Sequence, residues 1–121
     1  MNEQAEPIFS LEAEQAALGS MMISPQALEV AADLLTAEMF FLRSHTLIFS
    51  ALLRLAEMGG GVDQVTLTAE LQKTGDLETV GGVTYLFRLW NEIATGANIR
   101  TYITLMQESY ARRTLESMGQ S

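Results

Sequence analysis

Residues 44–61 read SHTLIFSALLRLAEMGGG, from Ser44 to Gly61. On a helical wheel, Leu47, Ile48, Phe49, Ala51, Leu52, Leu53, Leu55, Ala56 and Met58 cover roughly 240°. Thr46, Ser50, Arg54 and Glu57 share the narrow strip that remains. A helix apolar over that much of its surface has to be enclosed by other helices, so it is expected at the centre of the fold with its neighbours packed around it. Ser44 is its expected N-cap, and the glycines from Gly59 to Gly61 stop it.

Helical periodicity also governs the flanks. Residues 1–9 read as a flexible tail, followed by Ser10 as N-cap of a helix from Leu11 to Met22 with Glu12 and Glu14 in its first turn. Gly19 inside that helix costs about 1 kcal/mol relative to alanine, and close helix packing accounts for it. Ser24-Pro25 starts a second helix, to Leu35, by placing proline at the first helical position. Thr36 caps a short turn through Met39. Downstream of the glycines, Thr66 is the expected start of a helix to Lys73, closed by Gly75. The next helix, Val83 to Ala94, carries a stripe of Val83, Leu86, Phe87, Trp90, Ile93 and Ala94 and ends at Gly96. The last starts at Asn98 and shows Ile99, Tyr102, Ile103, Met106 and Tyr110 on one face. Beyond Tyr110 the apolar set of Ala111, Leu115 and Met118 lies roughly 130° around the wheel. The pattern predicts an all-α fold, a compact orthogonal bundle of about six helices whose last helix begins to leave the globular head. The expected division is a tail over 1–9, a helical head over 10–110 and the start of a hairpin or linker region, truncated, over 111–121.

Composition narrows the function. At 121 residues and 48 % hydrophobic, the chain can bury one core. It has no cysteine, which excludes disulfides, thiol nucleophiles and zinc-finger patterns and fits a reducing cytoplasm. No apolar run approaches the roughly 20 residues needed to span a bilayer. The acidic start MNEQAEPIF does not resemble a signal peptide. Net charge is −8, with one lysine, Lys73, and six scattered arginines. Binding DNA requires neutralising phosphates with basic side chains, so a direct strong grip on nucleic acid is not expected.

Catalytic signals are missing. There is no G-x-x-x-x-G-K-[ST] phosphate loop; Gly59-Gly60-Gly61 leads into Val62-Asp63 with no lysine. His45 is the only histidine, with no cysteine or second histidine to share a metal, and a satisfied structural histidine is the simpler reading. Glu12/Glu14 and Asp76/Glu78 are carboxylate pairs, the first explained by the helix dipole and the second by a polar turn.

Five segments in order carry a resemblance: Leu11-Glu12-Ala13-Glu14-Gln15 with Leu18-Gly19-Ser20; Phe40-Phe41 with His45, Leu47, Ile48 and Phe49; Val62-Asp63 with Val65-Thr66-Leu67; Gly81-Gly82 with Tyr85-Leu86; and Asn98-Ile99 with Tyr102. In order and spacing the run resembles the N-terminal domain of DnaB-type bacterial replicative DNA helicases. Leu42-Arg43-Ser44 stands where that family more often has an R-P-A type of linker, and Gly61 where a proline is common.

The resemblance implies a non-catalytic assembly and docking module. It would help build the N-terminal collar of a hexameric helicase ring, with sister subunits, primase and in some systems a loader as partners. ATP and magnesium would belong to an absent motor domain, so no cofactor is expected here. Tyr85 and Leu89, off the apolar stripe of their helix, are the first candidate partner patch; the competing reading is cover by a neighbouring helix. Ala111, Leu115 and Met118 are the second, for hairpin or subunit pairing. Three rivals remain. A helicase-binding C-terminal region of a primase would share the shape without the ordered motifs. A small enzyme or ligand-binding bundle would need a polar interior site around His45. A DNA-binding domain would show steep salt dependence.

Overall fold

The computed structural model describes residues 11–92 and 98–119. The expectations placed on residues 1–10, including the Ser10 cap, and on Ile93, Ala94 and Gly96 lie outside them. Among the described residues there are six α-helices and no strand: α1 Leu11–Ile23, α2 Pro25–Leu34, α3 Arg43–Glu57, α4 Gln64–Lys73, α5 Gly82–Glu92 and α6 Ile99–Gly119. A single 3-10 turn, Ala37–Met39, links α2 to α3.

The hub is α1, not α3 as the wheel suggested. Helices α2, α3, α5 and α6 all pack on α1, whereas α3 meets α1, α2, α4 and the 3-10 turn. Ala17, Leu18, Gly19, Ser20, Met21 and Met22 are buried in unbroken succession. Only a helix enclosed on all sides buries every residue over more than one turn. Its small residues let four neighbours approach closely, which a surface of bulky leucines does not. α3 is still deeply seated, with Ile48, Phe49, Ala51 and Leu52 almost fully buried. Phe40 from the preceding loop packs on Phe49 with ring centroids 4.9 Å apart.

Local signals set most of the boundaries. Ser24 caps α2, its Oγ accepting from the Ala27 N–H at 3.1 Å, with Pro25 in the first turn. α4 begins two residues before Thr66, because Asp63 is the cap. The Asp63 Oδ1 accepts from Thr66 N–H at 2.8 Å, while the Thr66 Oγ1 accepts from Asp63 N–H at 3.0 Å. Thr66 is therefore the reciprocal arm of a capping box. The Thr66 backbone N–H holds the Asp63 carboxyl below its ordinary value.

The start of α3 departs from expectation in a different way. Ser44 is not its cap: the helix starts at Arg43, with Leu42 in the cap position and no side-chain cap hydrogen bond. The Leu42 carbonyl accepts from His45 N–H at 3.0 Å and Thr46 N–H at 3.1 Å. The Phe41 N–H donates to the Glu14 carboxylate of α1, so a tertiary contact fixes where the chain enters α3.

Between α3 and α4, Arg54 Nε donates to Glu70 Oε2 at 2.7 Å, and Lys73 Nζ lies 3.4 Å from Glu70 Oε1. The Arg54 hydrogen bond holds the Glu70 carboxyl below its ordinary 4.5. A carboxyl depressed by folding adds stability above its ordinary value and loses it as pH falls through the lowered one. Glu70→Gln is therefore expected to lower the urea midpoint at pH 7. The gap from wild type should close as pH is brought below about 4.5; a gap of equal size at pH 3 and pH 7 would refute this.

Candidate functional site

The deepest polar cluster joins α1, α3 and α5. His45 Nδ1 lies 2.7 Å from Glu14 Oε1, His45 Nε2 lies 2.6 Å from the Tyr85 hydroxyl, and Gln15 Nε2 donates to that hydroxyl at 3.1 Å. With the imidazole proton on Nδ1, the Tyr85 O–H donates to Nε2 and each donor in the chain meets an acceptor. The imidazole and phenol rings are 9° from parallel with centroids 5.9 Å apart. Arg88 lies over the outer side of the Tyr85 ring, 5.8 Å from its centroid.

This cluster cannot act on a substrate. His45 is 0 % and Glu14 1 % exposed, and both imidazole nitrogens are engaged. It is a buried tie between three helices. Among the described residues no group of three His, Cys, Asp or Glu side chains can hold a metal ion.

Glu14 is the residue that sequence reasoning placed wrongly: it was assigned to the helix dipole beside Glu12, yet only Glu12 is exposed. A usable signal exists. Glu14 falls on the stripe Ala17, Leu18 and Met21, and His45 on the stripe Ile48, Phe49 and Leu52, both at spacings of three, four and seven. An acid and a histidine each embedded in a core stripe have to satisfy one another.

The same cluster explains the Gly81-Gly82…Tyr85 spacing. Gly81 has φ +110°, and a Cβ there would meet the Tyr85 Cβ at 2.7 Å. Gly81→Ala therefore carries both backbone strain and a collision that pushes Tyr85 off His45. Its expected cost is about 2–4 kcal/mol in chemical denaturation; a change below about 0.5 kcal/mol, the range of ordinary surface substitutions, would rule the collision out.

The candidate partner residues separate into two groups. Tyr85 and Leu89 do not lie on an outer face: Leu89 is 1 % exposed, and Tyr85 is half-buried with its hydroxyl in the cluster. The inward face of α5 is rotated toward them, with Leu86 buried and Trp90 half-buried at its edge. Val83 and Phe87, assigned to the core stripe, are 48 % and 56 % exposed. α5 is wedged between α1 and α4, and the pull of Tyr85 onto His45 sets its rotation.

On α6, Ile99, Ile103, Met106 and Ser109 are buried. Gln107 Nε2 donates to the Leu34 carbonyl at 3.1 Å, fastening the helix to the end of α2. Arg113 holds α6 to the head, donating to the Met39 carbonyl at 3.2 Å and lying over the rings of Phe41 and Tyr110 at 5.3 and 5.7 Å. Ala111, Leu115 and Met118 are all exposed, the latter two at 66 % each. The helix runs on without a break to Gly119. No helix of the described residues is long and apolar enough to cross a membrane.

Known proteins share both the sequence and the arrangement. Residues 6–108 match the family model described as the DnaB-like helicase N-terminal domain. The chain is 41 % identical over 112 residues to replicative DNA helicase DnaB of Rhodothermus marinus, covering 93 % of this chain and 12 % of that protein. It is 43 % identical over 109 residues to DnaB of Geobacillus stearothermophilus, covering 90 % of this chain and 24 % of that protein. The chain thus spans a quarter or less of the relatives it matches. In structure it is similar to the crystal structure of the N-terminal domain of DnaB helicase from Mycobacterium tuberculosis, with a TM-score of 0.90 and 33 % identity over 95 % of this chain and 80 % of that one. It is also similar to a DnaB-like replicative helicase solved to show its interactions with primase, with a TM-score of 0.75 and 27 % identity over 92 % of this chain and 26 % of that one. With the ordered motifs, the six-helix arrangement and these matches in agreement, the chain belongs to the DnaB-like helicase N-terminal domain family.

Proposed function

We propose that this domain is a non-catalytic assembly and docking module of a hexameric replicative helicase. It pairs with sister subunits in an N-terminal collar and receives primase, or in some systems a loader, during DNA replication in the cytoplasm. The observation that carries this reading is the contrast along α6. Its first three turns are packed into the head, while Leu115 and Met118 stand two-thirds exposed on the stretch beyond. An apolar face on a helix that has left its own core is suited to another subunit. The similarity to a DnaB-like replicative helicase described together with its interactions with primase supports the docking half.

The domain works through surfaces and needs no cofactor of its own; nucleotide and magnesium belong with the motor of the whole helicase. It has no strong hold on DNA, because its charge of −8 repels phosphates.

Light scattering after size exclusion tests this, on the chain alone and mixed with the cognate primase's C-terminal region. Self-association that is lost in Leu115→Glu with Met118→Glu supports pairing through α6, and a co-eluting complex supports docking. A chain that stays monomeric at high micromolar concentration and never co-elutes with primase would refute the reading for these residues.

A further inference from the structure

A groove of about 500 Å³ opens where the α1–α2 corner faces the loop after α3. Ile23, Leu28, Ala56, Val62 and Trp90 make its apolar walls, and Asp63 is the one charged side chain that lines it. The buried tie, the Arg113 contact and the exposed end of α6 are all elsewhere. Trp90 is half-buried at its edge, which suits an anchor point, since partly buried tryptophan supplies large contact area with a polar tip.

Two further features indicate what it takes. The first is the bare backbone of its rim. Gly59 needs to be glycine, at φ +80°, but Gly60 and Gly61 do not have positive φ, and a Cβ on either would meet nothing within 4 Å. The fold would accept side chains there. Their absence leaves main chain uncovered, so a second polypeptide can lie directly against it. The second is charge. Asp63 is ionised at neutral pH, as any carboxyl is whose value lies at or below its ordinary 3.8, and the Thr66 N–H lowers it further. No lysine or arginine lines the groove, and the chain carries −8 overall.

We propose that this groove docks a short cationic segment of a partner protein, seating bulky apolar side chains against Leu28 and Trp90 while flanking lysines or arginines face Asp63. The inference rests on the reading of the domain as a docking module and names a seat for one partner segment. Recognition follows the usual division, with apolar anchors supplying affinity and complementary charge supplying orientation and on-rate.

A synthetic eight-residue peptide with a central Leu-Phe pair between lysines and arginines is the probe, titrated into the 15N-labelled chain. Shifts are expected at Ile23, Leu28, Val62 and the Trp90 indole N–H. A peptide with Ser-Ser in place of Leu-Phe should bind at least tenfold more weakly. Gly60→Leu should weaken binding at least tenfold with an unchanged spectrum elsewhere, since the position is open. Asp63→Asn retains a competent cap while removing the charge, and should weaken binding several-fold and flatten its salt dependence.

Equal binding of both peptides, equal binding to Gly60→Leu, or shifts spread over the acidic surface would overturn the proposal, as would no shift at millimolar peptide. Primase separates this from the broader reading. A complex with primase that Gly60→Leu leaves intact would keep the docking function and overturn the groove as its seat. If primase never binds yet the peptide pattern holds, the groove stands and primase is the wrong partner.

Discussion

Glu14→Ala is expected to destabilise the domain by about 2–4 kcal/mol, from one buried donor left without its acceptor and a second hydrogen bond lost with it. The carboxylate is 1 % exposed and accepts from His45 Nδ1–H and from the Phe41 N–H. Truncation leaves the His45 Nδ1–H buried without this acceptor, which costs on the order of 1–3 kcal/mol, and removes the Phe41 N–H bond at the entry to α3. The loss is a large share of a total stability of about 5–15 kcal/mol. Glu14→Gln retains an oxygen acceptor and nearly the same volume, so it should cost clearly less. Urea denaturation followed by circular dichroism reads both, with the midpoint moving at constant slope. A Glu14→Ala variant within 1 kcal/mol of wild type would mean that the tie contributes little to holding α1, α3 and the α3 entry loop together.

Leu89 and Phe87 provide the second large effect, because periodicity and structure assign them opposite places. Leu89→Ala empties a core position and should cost about 2–5 kcal/mol. Phe87→Ala, on a side chain 56 % exposed, should stay within about 0.5 kcal/mol. The comparison also guards the interaction experiments. Loss of partner binding in Leu89→Ala would report a weakened core, not a lost contact, unless the variant is shown to be folded at the assay temperature. If Phe87→Ala proved the more damaging of the two, the rotation of α5 described above would be wrong.

Those helix-boundary signals that were legible are local. Ser24-Pro25 and Gly59 act through the backbone of their own few residues, so they need no knowledge of the rest of the chain. The Thr66 misplacement belongs to the same class: Asp63 and Thr66 both can cap, and the competition is settled by which one leaves the other free to return the bond. The candidate sites were legible only in part. Ala111, Leu115 and Met118, beyond the change of apolar face after Tyr110, are exposed. Tyr85 and Leu89 were misplaced because the wheel weighs each apolar residue alike and cannot see that a phenol is drawn to a histidine forty positions away.

The amino-acid sequence by itself determined the all-α class, the number and rough bounds of the helices, and the family. Each of these depends on short-range backbone preference, residue inventory or ordered motifs. Only the tertiary structure decided that α1 is the hub, that Glu14, His45 and Tyr85 meet, which face of α5 is inward and that a bare-rimmed groove opens beside Trp90. Those features depend on how several helices share one interior, where close packing and the need to satisfy each buried polar group select a single arrangement from many that the helical pattern allows.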